Sequence, residues 1–452
     1  MENKDTQKFI PKTQEEYSKI VRQMILELER KAIEREELSR ILVLAIFSRT
    51  NVFLIGPPGV GKTYILNILI NSIPGAKSFE YLVMAHTKPE ELFGTSYVDE
   101  NGKMHYDITN SILDAHFPFL DEIFKGSSQI LNTLLGITHP SRKYFMRGVG
   151  EFRVPMVCML AASNEFPQDE SLDALDDRFL FRYEVLPIQK IENYEKFIAG
   201  EYDKTPYLSV QITLDDLHYV YKKALETVTI PTLVRRAYIQ IREKMLRLRV
   251  KVSDRKINLA LEIFKVSAYL NNRKEIDFSD LFLLNHIMWR NFLDRENTNT
   301  AIKEIIFGNK NDVNRRLLEI ENEFDKNKNF VKHELNVFLN KTHTFQGEEL
   351  ELFFDKKMKD LSIVYDNLKI IFGAIEDIVS QKKFVDDVLK QCEENVFIYE
   401  VTQEVFDKEN LMKMNKLRMD ISLLFKKIDT FKKLVNNVYD YINYNPAQLS
   451  NV

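Results

Sequence analysis

The chain has 452 residues, 29% of them charged, a formal net charge of −4 and two cysteines. At roughly 100–200 residues per domain this length allows two to four domains, each with its own core, and the near balance of charge argues against a protein that grips nucleic acid by bulk electrostatics. Cys158 and Cys392 stand far apart with no CxxC or histidine cluster, which argues against a disulfide scaffold or structural zinc and fits a reducing cytoplasm; the eight histidines are scattered singly, with neither an HExxH pattern nor a triad order.

In chain order, the opening "MENKDTQKFIPKTQEEYSKI" is polar and lacks an apolar leader core, and no stretch approaches ~18 uninterrupted apolar residues, so neither secretion nor a membrane span is expected. "NVFLIGPPGVGKTYILNILI" (51–70) is an apolar strand pattern, then Gly56-Pro57-Pro58-Gly59-Val60-Gly61-Lys62-Thr63, then a helical pattern beginning at Tyr64. It matches G-x-x-x-x-G-K-[ST] in full. Gly59 and Gly61 let the backbone N–H groups turn inward as an anion nest at a helix N-terminus; Lys62 supplies a point charge for the β- and γ-phosphates of ATP and Thr63 a hydroxyl for Mg²⁺.

"GTSYVDENGKMHYDI" (94–108) predicts a hairpin turning at Asn101-Gly102, and "RKYFMRGVGEFRVP" (142–155) a second turning at Gly148-Val149-Gly150. Between them, "FPFLDEIFKGSSQILNTLL" (117–135) is an apolar strand ending in Asp121-Glu122, with a helix after it that turns Ile130, Leu131, Leu134 and Leu135 inward. Asp121 at a strand tip is suited to hold Mg²⁺ and Glu122 to orient and polarise the attacking water. Pro118 removes a backbone donor and is expected at the strand's first residue. A third strand, "PMVCMLAASNE", ends at Ser163-Asn164, where Asn164 can reach a γ-phosphate or the attacking water. In "SLDALDDRFLFRYEV" (171–185), Arg178 is either paired locally with Asp177 or reserved for another task, and the residues alone leave this open.

Strand–helix alternation to residue ~190 predicts an α/β core with a mainly parallel sheet and its ligand at the strand carboxyl ends. Residues ~196–295 read as helices: 213–228, 231–248, 254–270 and 277–293, with Trp289 in their core. The basic stretch 234–252 reads as a solvated helix face. "NTNTAIKEIIFGNKNDVNRR" (297–316) reads as a hinge. Beyond it, Leu361, Val364, Leu368, Ile371, Ile375, Ile378, Lys382, Val385, Leu389 and Cys392 form one seam in threes and fours. Leu417, Ile421, Leu424, Ile428, Phe431, Val435, Val438 and Ile442 form another. Such spacing fits a helical bundle within the chain or an intermolecular coiled coil, with partner docking as its expected role.

The order GPPGVGKT, FLDEIFKGSSQILNTLL, AASNEFPQDESLDALDDRFLFR and VKVSDRKINLALEIFKVSAYLNNRKEIDFSDLFLL resembles the MoxR family of AAA+ ATPases, in particular its RavA (regulatory ATPase variant A) branch, over roughly residues 30–290. The resemblance implies an AAA+ P-loop NTPase core over 1–195, with hairpin inserts near 95–108 and 142–154, an all-α lid over 196–295, and a helical partner-docking region over 296–452. It implies Lys62 and Thr63 as the Walker A lysine and Mg²⁺ ligand, Asp121 and Glu122 as the Walker B pair, and Asn164 as sensor 1. Arg178 falls at the arginine-finger position, with Arg182 as the alternative, and Arg255 at sensor 2. "AIEREELSRILVLAIFSRTN" (32–51) is similar to the helix that opens the family's nucleotide domain, which implies Ile33 and Arg35 beside the adenine. The compact β-rich module of the RavA branch has no counterpart here, so partners that depend on it do not carry over.

The resemblance implies a cytoplasmic, ring-forming Mg-ATP hydrolase, hexameric by family expectation. Its work would be the chaperone-like remodelling of partner proteins, paired with a von Willebrand factor A (vWA) domain protein. Two other readings stand beside it. A nucleic-acid motor or defence-system NTPase needs cationic hairpin tips, and the tips offer only Asn101-Gly102-Lys103 and Arg147-Gly148. A nucleotide-dependent scaffold with little turnover is opposed by the intact Asp121-Glu122 pair.

Overall fold

The computed structural model describes residues 9–139, 141–146, 150–167, 173–345 and 347–444; the second hairpin's tip, Arg147 to Val149, and the start of the "SLDALDDRF" stretch lie outside them. The chain divides into two units, Met1–Ile305 with Val388–Val401, and Ile306–Asp387 with Thr402–Val452.

The first unit opens with α1 (Gln14–Lys31), started by a capping box in which Thr13 and Glu16 satisfy each other's backbone N–H groups, and α2 (Glu36–Ser48), buried along nearly its whole length. Strand β1 (Val52–Ile55) is buried throughout, as a strand flanked on both edges must be. It leads through the glycine loop into α3 (Lys62–Asn71). Then come β2 (Ser78–Leu82), the short α4 (Pro89–Phe93) and a hairpin of β3 (Thr95–Val98) and β4 (Met104–Asp107). Asp99 accepts from the Asn101 and Lys103 N–H groups, and Gly102 takes φ 77°, which closes the expected Asn-Gly turn.

Strand β5 (Phe117–Asp121) and α5 (Ser128–Ile137) precede the second hairpin, β6 (Lys143–Met146) with β7 (Gly150–Arg153). The core closes with β8 (Leu160–Ser163), the turn α6 (Asp173–Asp176) and β9 (Phe181–Glu184). The five-stranded sheet has the order β2-β5-β8-β1-β9 with every pair parallel. Both hairpins are separate two-stranded ribbons outside it. Pro118 is the second residue of β5, not the first: it sits opposite Phe79 of β2, and pairing with β8 starts only at Phe119, so its missing N–H costs no bond on that side.

A strap follows, carrying α7 (Ile191–Ala199), and then the helices α8 (Leu214–Thr227), α9 (Thr232–Arg247) and α10 (Asp254–Leu270). The arginines at 235, 236 and 247 on α9 face solvent, the solvated face expected there. The expected single helix 277–293 is instead a 3₁₀ segment over Phe278–His286, a break, and α11 (Phe292–Ile306). Trp289, in that break, is 1% exposed and belongs to the α/β core cluster with Phe53, Leu120, Ile130 and Phe179, a correction to its expected place in the lid core. Residues 388–401 return to this unit through buried Asn395, whose amide donates to Ser279 Oγ (2.9 Å) and Asp280 Oδ1 (3.1 Å). Arg40 Nη1 donates to the carbonyls of Val396 (3.1 Å) and Ile398 (3.0 Å).

The second unit is built from α12 (Lys310–Lys341), α13 (Glu348–Glu394, to Asp387) and α14 (Lys408–Tyr444). The expected hinge 297–316 is helical on both sides of a short break at 307–309. The seam residues Leu361, Val364, Leu368, Ile371, Ile375, Ile378 and Val385 are buried, as are Leu417, Ile421, Leu424, Ile428, Phe431 and Val435. Rings interlock between the three helices, Phe338 with Phe354 (5.8 Å) and Phe431 (5.5 Å). The seams are therefore covered within one chain, as in a bundle. Lys382 interrupts the first seam by turning outward to Asp386, and past it Val388 is buried where Leu389 was expected.

Candidate functional site

The glycine loop is shaped by close approach and by unusual backbone angles. A Cβ on Gly56 would lie 2.2 Å from the Val185 carbonyl oxygen, so only glycine lets the loop leave β1 this close to β9. Gly59 and Gly61 have φ 79° and 81°, and Gly61 is the N-cap of α3. The loop thus delivers its N–H groups to a helix N-terminus, the arrangement that favours anions. Lys62 is 7% exposed, and its Nζ donates to the Gly56 carbonyl at 2.9 Å. Thr63, next on the helix, is half-buried.

Sheet register brings the other candidates to the same edge. Ile55 pairs with Ser163, and Leu120 with Ala161. Gly56, Asn164 and Asp121 therefore emerge from the neighbouring strands β1, β8 and β5 on one side of the sheet. Asp121 Oδ1 accepts from the Glu122 N–H at 3.0 Å. Glu122 is a non-glycine residue at φ 53°, ψ 39°, a strained conformation of the kind that concentrates at functional sites. Its side chain is 14% exposed, with Lys125 Nζ at 3.4 Å from an Oε2 that has no hydrogen-bond partner among the described residues. Asn164 is exposed just past β8.

A cavity of about 460 Å³ runs from Gly59, Val60 and Gly61 past Tyr64 to Ile33 in the α1–α2 loop and to Pro187, Tyr194, Phe197 and Tyr202 of the strap. Ile33 thus lines the space beside the glycine loop. Arg35 also borders it, but its guanidinium is spent on the protein: Nη2 donates to the carbonyls of Val60 (3.0 Å) and Leu186 (2.8 Å). It fixes the loop against the strap. The aromatic side chains of the strap escaped the sequence reading; their only signal is a short apolar period in "IENYEKFIA".

The arginines occupy a different place. Neither Arg178 nor Arg255 lines the cavity, and neither do Lys62, Asp121, Glu122 or Asn164. Asp177 does not neutralise Arg178, as one expectation had it. Its carboxylate accepts from Ser253 Oγ at 3.0 and 3.2 Å and lies 3.7 Å from Arg255 Nη1. Burial and then the neighbouring Arg255 charge hold the Arg178 guanidinium below its ordinary value, with Asp177 partly opposing. Nε and Nη1 of Arg178 have no hydrogen-bond partner among the described residues, and Asn51 Nδ2 fixes its backbone by donating to its carbonyl at 3.1 Å. Burial and then the charges of Arg178 and Arg255 hold the His139 imidazole below its ordinary value.

Arg182, the alternative finger, is 0% exposed. Its Nη2 lies 2.7 Å from both Asp176 Oδ1 and the Asp176 carbonyl, and its guanidinium stacks 5.7 Å over Phe53. A side chain locked into the core in this way cannot extend to another molecule, so the sequence expectation for Arg182 is corrected. Lys256, beneath Arg255 on α10, is wholly buried against Arg182, Asp176, Asp177 and Arg290, and burial pulls its amine down to about 7.

A parallel sheet in this order, a glycine loop on a helix N-terminus, an Asp-Glu strand tip and a following helical lid define a P-loop nucleotide-binding core of the AAA+ class. Comparison with known proteins makes the class specific. Residues 19–218 match the model of the MoxR domain in MoxR-vWA-beta-propeller ternary systems, and residues 234–306 that of an AAA lid domain. An uncharacterised protein of Methanocaldococcus jannaschii is 30% identical over 387 residues, covering 84% of this chain and 97% of that one. Chaperone MoxR1 of Mycobacterium tuberculosis is 24% identical over 36% of this chain and 43% of its own. A crystal structure from Cytophaga hutchinsonii, described as a "putative ATPase", superposes with TM-score 0.51 at 18% identity, over 65% of this chain and 94% of that one, a likeness of fold. The chain belongs to the MoxR family of AAA+ ATPases, a family whose fold binds nucleotide. Among the described residues no helix is long and apolar enough to cross a membrane.

Proposed function

We propose that the protein is a ring-forming Mg-ATP hydrolase that remodels partner proteins in a chaperone-like way, together with a vWA-domain protein. The observation that carries the ring is the position of Arg178 and Arg255. They are neighbours whose charges act on each other, and Nε and Nη1 of Arg178 have no hydrogen-bond partner among the described residues. Such a pair of neighbouring cations is suited to the developing charge on a γ-phosphate, in this reading with Arg178 reaching that of a neighbouring subunit. A hexamer is the family expectation for such a ring.

Within one subunit, the loop N–H groups and Lys62 hold the phosphates. Glu122 orients and deprotonates water, and Asn164 positions that water against the γ-phosphate. The Thr63 hydroxyl and the Asp121 carboxylate are hard oxygen donors at the mouth of the loop and fit Mg²⁺, which takes such ligands together with phosphate oxygens and water. Bound there, the ion would neutralise charge on the phosphates. The vWA partnership rests on the description of the matching family model, and chaperone-like work on the name of the mycobacterial relative. The family-model description favours a partnership of the MoxR-vWA-beta-propeller kind over the RavA branch. Glu122→Gln tests the chemistry: it should retain ATP binding and lose hydrolysis, and turnover at the wild-type rate would remove Glu122 from the mechanism.

A further inference from the structure

The unit built from α12, α13 and α14 carries more apolar surface than its own packing uses. The seam of α14 is buried, with Phe431 against Phe338 of α12 (5.5 Å) and Phe425 against Tyr365 of α13 (5.0 Å). Met412, Met419, Leu423 and Leu434 are exposed. At about 100° per residue they form a second stripe on the side of α14 opposite the seam. A bundle helix whose second face meets only water carries polar residues there.

That second face is also basic. Residues 412–434 hold seven lysines and arginines against two aspartates. Lys413 and Arg418 are used inside the chain, on Glu321 of α12 and Glu376 of α13. Lys416, Lys426, Lys427 and Lys433 flank the stripe, are exposed, and enter no ion pair among the described residues.

The groove between α12 and α13 has the complementary character. A depression of about 350 Å³ there has Phe330, Ile363 and Val364 as its apolar floor and Glu323, Lys326 and Asp360 at its rim. Phe330 and Ile363 are half-exposed, and Ile370, two turns further along α13, is largely exposed. The flanking stretches, 318–330 of α12 and 360–377 of α13, hold eight acidic residues against three basic. In its own chain α14 cannot fill this groove, because its seam already faces α12 and α13 and its basic stripe is turned away from them.

We infer that the groove between α12 and α13 receives the basic stripe of α14 from a second copy of this chain. The apolar tracks are of similar length: Met412 to Leu434 spans about 33 Å, and Leu352 to Ile370, on the exposed face of α13 with Ile363, about 27 Å. An anionic surface would satisfy the lysines but leave the acidic groove without a role. Stripe and groove are different surfaces, so the contact is heterologous, and copies joined in this way close into a ring or run on as a filament. Closure rests on the ring reading above; the contact adds an interface in the C-terminal unit to the one that Arg178 crosses.

The test is sedimentation velocity of the full chain with MgATP over a range of protein concentrations. Lys416→Glu/Lys426→Glu/Lys427→Glu/Lys433→Glu reverses the stripe, and Glu319→Lys/Glu323→Lys/Asp360→Lys reverses the groove. Each set alone brings like charges face to face and should shift assembly to about tenfold higher concentration or more. All seven changes in one chain restore opposite charges with inverted polarity, and assembly should return to the wild-type range. That chain carries every change, so its rescue cannot come from repaired folding. Assembly at the wild-type concentration with either set alone, or weakening by both sets without rescue, would overturn the docking and leave the ring reading standing. So would a stripe that matters only for sedimentation of the chain with phosphatidylserine vesicles, which would assign it to a membrane. A wild-type chain that stays monomeric with MgATP at every concentration would overturn the ring reading itself.

Discussion

Ser253 does two things at once, and a double-mutant cycle with Asp177 separates them. Its hydroxyl oxygen accepts from the Lys256 N–H at 3.1 Å as the N-cap of α10, while its proton goes to the Asp177 carboxylate at 3.0 Å. Loss of an N-cap costs about 1 kcal/mol. Loss of a hydrogen bond to a charged group costs about 1.5–3 kcal/mol, and Asp177 is 8% exposed, so little solvent compensates. Ser253→Ala should therefore destabilise by about 3 kcal/mol in urea titration. The cap belongs to Ser253 alone, so only the hydroxyl–carboxylate bond can couple the two sites. The cycle of Ser253→Ala with Asp177→Ala should show an interaction energy of about 1.5–3 kcal/mol. Additivity within about 0.5 kcal/mol would refute the claim that this bond ties the Arg178 turn to the lid helix bearing Arg255. In ATPase assays both single variants should lose more activity than nucleotide affinity, because the tie serves the arginines and not the cavity.

Lys256→Met tests the buried charge cluster below that tie. With the folded-state value lowered to about 7 from 10.5, the unfolded chain binds the extra proton between these values. Stability of the wild type should then rise with pH across that window, by up to about 1.4 kcal/mol per pH unit, with the full penalty present below pH 7. The methionine variant should lose that slope in urea titrations from pH 7.5 to 9.5; parallel curves would place the lysine proton elsewhere. Gly56→Ala forces a methyl group to within 2.2 Å of the Val185 oxygen at a backbone φ of 154°. Overpacking of this kind costs about 1–3 kcal/mol and pushes the loop off β9. Calorimetry should show a lower Tm together with lost ATP binding, and wild-type values for both would refute the close approach.

The phosphate loop and the three strand tips were legible because their chemistry and local pattern coincide: apolar runs end in Gly56, Asp121 and Asn164, and parallel pairing puts those ends on one edge. The destinations of charged side chains were not. Arg178, Arg182 and Arg255 look alike in sequence, yet Arg182 is buried under Phe53 beside Asp176, Arg255 shares Asp177 with Ser253, and Arg178 is only half-buried, beside Arg255. These outcomes depend on packing between α6, β9 and α10, which are up to ~80 residues apart in the chain and which periodicity cannot relate. Trp289 was misplaced for a similar reason. The apolar run 277–293 has helical spacing, but its chain breaks so that the indole can enter the α/β core. The C-terminal seams were legible as apolar stripes over most of their length, though Leu389 and Val438 are only partly buried and the side chain of Ile442 lies outside the described residues; their closure within one chain needed the partner faces of α12.

The central claim is that Arg178 serves a neighbouring subunit's nucleotide. The most direct test is the steady-state ATPase rate of mixtures of Arg178→Ala and Glu122→Gln subunits. Each alone should be inactive, an arginine finger being worth ~10³ or more in rate. In mixed rings the Arg178→Ala subunit keeps Glu122 and receives the arginine of its neighbour, so activity should appear on mixing and peak near equal proportions. A rate that stays at the sum of the two inactive variants, with mixed assembly demonstrated, would contradict action across an interface.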